Sequence, residues 1–89
     1  MSEGVHEVLC RKWSLDILRL LEEDSPQNYS RIESNLETSS DVVSDRLTQL
    51  SDLGLLARDE QSPKNVRYSI TPDGEEVLRL VDEIQELFE

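Results

Sequence analysis

Lysine is nearly absent from this chain. Of nine cations only Lys12 and Lys64 are Lys, and the rest are Arg. Against twenty Asp and Glu they leave a formal charge of −11. A basic surface is the usual electrostatic footprint of a nucleic-acid binder, so charge alone argues against that class. Aromatics are also few: one Trp, two Tyr and one Phe. An acid-rich, Lys-poor, aromatic-poor composition goes with disorder or with life in molar salt, where hydrated carboxylates keep a protein soluble. The apolar residues are too regularly spaced for disorder, so a halophilic source, of the archaeal kind, is expected. At about 1 M salt the Debye length is roughly 3 Å, and net charge then says much about solubility and little about partners. One cysteine, Cys10, excludes an internal disulfide and fits a reducing compartment. No apolar run approaches the roughly 20 residues that span a bilayer. The opening "MSEGVHEVLCRKW" has neither the basic start nor the apolar centre of a signal peptide. The expectation is a soluble, cytoplasmic protein without a membrane partner. Its 89 residues suffice for one modest core.

What is present is periodicity. Residues 3–23 carry Val5, Leu9, Trp13, Ile17, Leu20 and Leu21 at three- and four-residue spacing, which predicts helix. Leu15 and Leu18 widen the stripe, and Ser14 is a candidate cap for a second start, with a break near Cys10 to Trp13. Asp24, Ser25 and Pro26 stop the helix. A short helix is expected over Tyr29 to Leu36, capped by Asn28, with Ile32 and Leu36 inward. Ser39 can cap the next, residues 40–53, whose buried stripe is Val42, Val43, Leu47, Leu50 and Leu53, with Gly54 as its left-handed stop. The period then changes to two: "LLARDE" and "NVRYSI" flank the turn "QSPK", a hairpin with Leu56, Val66, Tyr68 and Ile70 as buried candidates. Thr71 and Pro72 open the last helix, 72–88, with Val77, Val81, Ile84 and Phe88 on one face and Leu80 and Leu87 beside it. Two short helices joined by a tight turn make a helix-turn-helix, and the hairpin after them is a wing at 58–70. The fold class is α+β, a single winged helix-turn-helix domain over 1–89. No internal repeat or low-complexity tract is visible.

Three segments, "CRKWSLDILRLL" at 10–21, "SDRLTQLSDLGLLAR" at 44–58 and "VRYSITPDGEEVL" at 66–78, resemble the HxlR-type winged-helix transcription regulators. That family opens with Lys-Trp-x-x-x-Ile-Leu, ends its recognition helix with Arg-Leu-x-x-Leu-x-x-x-Gly-Leu, and closes its wing with Tyr-Ser-Leu-Thr-x-x-Gly. Ile70 stands for the Leu of the last motif. The middle segment is shared with MarR-like and ArsR-like winged helices. The resemblance implies a DNA-binding transcription regulator, with double-stranded DNA as partner and a homodimer as the working unit. Three departures stand out. Tyr29-Ser30-Arg31-Ile32 replaces the usual Arg-Phe opening of the short helix, the N-terminal stretch is shorter than usual, and Cys10 is not where electrophile-sensing members carry their Cys.

With Val43, Leu47 and Leu50 inward, helix 40–53 turns Ser40, Asp41, Ser44, Asp45 and Thr48 outward, with Arg46 at the flank. Major-groove readout needs donors and acceptors near a helix N-terminus, and Asp can accept from cytosine N4. A solvated helix face is the plainer reading, with acids favoured by the helix dipole. From Gln61 to Ile70 the chain carries Lys64 and Arg67 and no acid, so the wing suits phosphate, with Asn65 between them. Ser39 at the cap and Ser30 and Arg31 at the start of the short helix complete the candidate DNA surface. The candidate dimer surface is Val5, Leu9, Val77, Val81, Ile84 and Phe88, the alternative being that the last helix packs within its own chain.

Catalysis is not expected. There is one His, no Gly-rich phosphate loop and no nucleophile–base set. His6 and Cys10 share a helical face, but no second pair completes a metal site, so the reading is a half-buried His and a core-facing thiol. Asp16, Glu22 and Glu23 read as a solvated face. No cofactor or metal is expected, and no small-molecule effector is legible. The rival to a DNA-binding regulator is a winged-helix module whose acidic face binds a partner protein.

Overall fold

A computed structural model describes residues 4–89. The chain forms α1 (Val5–Leu9), α2 (Ser14–Glu23), β1 (Gln27–Asn28), α3 (Tyr29–Ser34), α4 (Ser40–Asp52), β2 (Leu56–Ser62), β3 (Asn65–Ile70) and α5 (Pro72–Glu86). The expected helix over 3–23 is therefore two helices. They are broken where Trp13 takes a left-handed conformation, φ 79°; the first position of that expected helix, Glu3, lies outside the described residues. The break corrects the role of Ser14. It does not cap α2; Trp13 holds the cap position without a side-chain bond, and the buried Ser14 Oγ donates 2.7 Å back to the Val8 carbonyl. That bond clamps α1 onto α2 across the loop.

The other caps fall where local chemistry puts them. Asn28 accepts from the Arg31 amide, Ser39 from Val42, and Thr71 from Gly74. α4 ends in a Schellman arrangement: Gly54 is left-handed at φ 79°, its N–H donates to the Ser51 carbonyl, and the Leu55 N–H reaches back to Leu50. Element ends differ from the pattern reading by a residue or two. α3 stops at Ser34 and not Leu36, α4 at Asp52, and α5 at Glu86, so Phe88 lies beyond its helix.

The core is one cluster: Val8, Ile17, Leu18, Leu21, Ile32, Leu36, Val43, Leu47, Leu50, Leu55, Leu56, Tyr68 and Leu78. Leu78 and Gly74 seat α5. Leu78 is fully buried, and a Cβ on Gly74 would run into the Leu55 carbonyl and come within 2.7 Å of Ile70 Cγ1. Val42, Leu53, Val66 and Ile70 are half-buried at its margin. The sheet is antiparallel with order β1-β3-β2. In the hairpin, Leu56 pairs with Ile70 and Arg58 with Tyr68, with an irregularity between Glu60 and Ser62. β1 is too short to leave a sequence pattern; Gln27 pairs with Tyr68 and Asn28 with Arg67. Two further expectations are corrected. His6 and Cys10 are both exposed, because α1 is only five residues long and Cys10 stands past its end. Their side chains do meet, Sγ to Nε2 at 3.8 Å. Trp13 is half-buried and packs against the core, with the Lys12 ammonium 5.2 Å from its ring centre.

Candidate nucleic-acid interface

Ile32 of α3 and Val43 and Leu47 of α4 are buried in the common core, and the opposite face of α4 is left in solvent. Ser39, Ser40, Asp41, Ser44, Asp45 and Thr48 are all exposed there. Asp41 sits in the first turn, where a carboxylate favours the helix dipole. Arg46 is different. Its Nε donates 2.9 Å to the Lys12 carbonyl and its Nη1 reaches Gln49, so it is half-buried and tied to the α1–α2 loop.

Tyr29, a residue that sequence reasoning did not single out, organises the start of α4. Its ring packs on the core from the first position of α3. Its hydroxyl lies 2.9 Å from the Ser40 carbonyl, 3.1 Å from Ser44 Oγ and 3.4 Å from a Glu33 carboxylate oxygen. Nothing in the local sequence signals this, because the three partners become neighbours only once α3 and α4 have crossed. Tyr29, Ser44, Thr48, Ser51, Asp52, Arg58 and Tyr68 line a crevice between α4 and the wing. Arg58 also lies there, its pKa raised by the Tyr68 hydroxyl and then by Glu60.

The wing projects Lys64 from its turn and Arg67 from β3, both exposed, with Asn65 half-buried between them. Asp59 lies directly across from Arg67, yet its carboxylate accepts from Gln61 Nε2 at 2.6 Å. Among the described residues, neither Lys64 nor Arg67 has a salt-bridge partner, whereas Arg19, Arg58 and Arg79 are paired with Asp82, Glu60, and Glu76 with Glu83. Arg31, at the start of α3 beside exposed Ser30, is bridged to Asp24 at 3.0 Å. A second crevice, lined by Asn28, Tyr29, Ser30, Pro63, Lys64, Val66 and Tyr68, joins the start of α3 to the wing tip. The surface is thus an acceptor-rich helix face flanked by an unpaired basic arm. No group of His, Cys, Asp and Glu suited to a metal ion occurs among the described residues.

Residues 8–89 match the family model described as HxlR-like helix-turn-helix. The chain belongs to the HxlR-like helix-turn-helix family. It is 32% identical over 78 residues to an HTH-type transcriptional regulator of Halalkalibacterium halodurans, covering 84% of this chain and 69% of that protein. A crystal structure from Thermoplasma volcanium, assigned to the HxlR family of transcriptional factors, is 32% identical with TM-score 0.75, covering 97% of this chain and 83% of that one. One from Porphyromonas gingivalis, assigned to the MarR family of transcriptional regulators, is 30% identical with TM-score 0.75, over 90% and 80%. As an HxlR-like member the protein is a DNA-binding transcription regulator with a winged helix-turn-helix fold. None of its described helices is long and apolar enough to cross a membrane.

Proposed function

We propose that this HxlR-like regulator binds duplex DNA as a homodimer, with the outer face of α4 in the major groove and the β2–β3 wing on the flanking backbone. The main support is the pair of wing cations. In a chain of charge −11, Lys64 and Arg67 stand exposed and without a salt-bridge partner among the described residues. Phosphate oxygens are the partners that such a pair suits. Ser30 and Ser39 are exposed next to this surface and serve the backbone too.

The acids on α4 fit a protein working in molar salt. There the release of counterions from DNA favours binding little, so a broadly basic surface gains little. Shape, dehydration and direct hydrogen bonds carry the affinity, and cations held between Asp41 or Asp45 and the phosphates relieve the repulsion. The decisive experiment is recovery of genomic fragments at high KCl, followed by binding to the recovered site by fluorescence anisotropy. Affinity holds or rises as KCl increases toward the molar range; a steep loss contradicts the reading. Lys64→Glu with Arg67→Glu lowers affinity by on the order of tenfold to a hundredfold, the effect of losing two charge-assisted bonds, while the far-ultraviolet dichroism stays the same. An unchanged affinity removes the wing from the interface.

A further inference from the structure

The bonds around Tyr29 carry a consequence for base recognition that rests on α4 lying in the major groove. A phenol has one proton to donate. The Ser40 carbonyl at 2.9 Å and the Glu33 carboxylate at 3.4 Å can only accept, and the carbonyl is the nearest of the three oxygens around the phenol, so we assign the Tyr29 proton to it. Ser44 Oγ lies 3.1 Å from the same phenol oxygen. With that proton spent, the bond between the two hydroxyls forms only if Ser44 donates. Its single proton is then directed at Tyr29, and only lone pairs remain to face outward. Asp41 and Asp45, exposed on the same face, are also acceptors only.

We propose that Tyr29 is a specificity-determining positioning residue: it fixes Ser44 as a hydrogen-bond acceptor, so that with Asp41 and Asp45 the helix reads the exocyclic amino groups of cytosine or adenine and disfavours guanine there. In the major groove cytosine N4 and adenine N6 are donors, while guanine presents only the acceptors N7 and O6. A serine free to rotate would serve either pattern. Held by Tyr29, it serves one.

The experiment is selection of bound duplexes from a randomised library, run in parallel for the native protein, Tyr29→Phe and Ser44→Ala, at the KCl concentration where the native protein binds best. Phe keeps the ring and removes only the hydroxyl. The native protein enriches cytosine or adenine on one strand at the position facing Ser44. In Tyr29→Phe guanine rises there by roughly 3- to 10-fold relative to the native selection, the worth of one regained bond, and the other positions keep their preferences. Ser44→Ala loses the preference without gaining guanine. If Tyr29→Phe lowers affinity evenly while the base preferences stay as in the native protein, the hydroxyl only braces the helix and the proposal is overturned. If the native protein selects no sequence at all, what fails is the groove placement of α4. Melting curves of the free variants, expected within a few degrees of native, separate either result from a loss of fold.

Discussion

Ser14 occupies a position that helix-start rules assign to a cap, and its hydroxyl goes elsewhere. The bond to the Val8 carbonyl forms because Trp13 turns the chain left-handed and lays α1 against α2. Ser14→Ala removes one of that carbonyl's two partners, the Arg11 amide at 3.1 Å remaining, which costs about 0.5–1.5 kcal/mol; urea unfolding measures it, and no change would mean that the clamp contributes nothing to stability. Asn28, Ser39 and Thr71 were legible as caps because each bonds an amide three residues ahead, within the reach of local pattern. Ser14 was not, because its partner lies six residues back across a turn. The same distinction explains the candidate site. Asp41, Asp45 and Thr48 could be placed outward from helical period alone. The ties of Arg46 to Lys12 and of Ser44 to Tyr29 join separate elements and leave no trace in spacing.

At the scale of elements, the joint between α4, the wing and α5 is governed by two glycines and a threonine. Thr71 accepts from Gly74 and donates 2.7 Å to the Gly54 carbonyl, tying the end of one helix to the start of another. Gly74→Ala would force the Leu55 carbonyl and Ile70 apart, at a cost of about 1–3 kcal/mol in thermal or denaturant unfolding. Gly54→Ala meets open space but keeps a left-handed backbone, and is expected to lose about 1–2 kcal/mol. Were Gly54→Ala the more harmful by a wide margin, the close approach at Gly74 would be wrong. The helix-turn-helix, hairpin and last helix were readable from period and punctuation; β1, at two residues, was not. On α5, Arg79 bridges Glu76 and Glu83, which keeps Glu76 ionised below the usual carboxylate range. A carboxyl depressed on folding stabilises above its unfolded pKa and ceases to as pH falls through the folded value. Helix content should therefore fall earlier on acidification in Arg79→Gln than in the native chain, and identical acid transitions would discount the staple.

For the whole molecule, the notable surface is the far side of α5. Leu80, Ile84, Leu87 and Phe88 are 45%, 57%, 79% and 86% exposed, and Val5 on α1 is 43% exposed, whereas Leu9, Val77 and Val81 of the candidate dimer set are half-buried, the first two packed against the chain's own core. An apolar row of this kind on an acidic protein suits a second copy. Two chains of −11 repel in dilute buffer, so sedimentation should find dimers tightening with added KCl, and Ile84→Glu should leave monomers at concentrations where the native chain is dimeric. Monomers in both, at every salt, would remove the homodimer from the proposal. Finally, β1 stitches the segment leading into α3 onto the middle of β3, at Arg67 and Tyr68. At Arg67 and Tyr68 the arm is thereby braced from both sides, and the hairpin beyond them, held by β2–β3 pairing alone, is left to adapt. At Arg67 a duplex would meet a rigid gauge rather than a loose flap, accepting or rejecting groove widths with little ordering left to occur on contact.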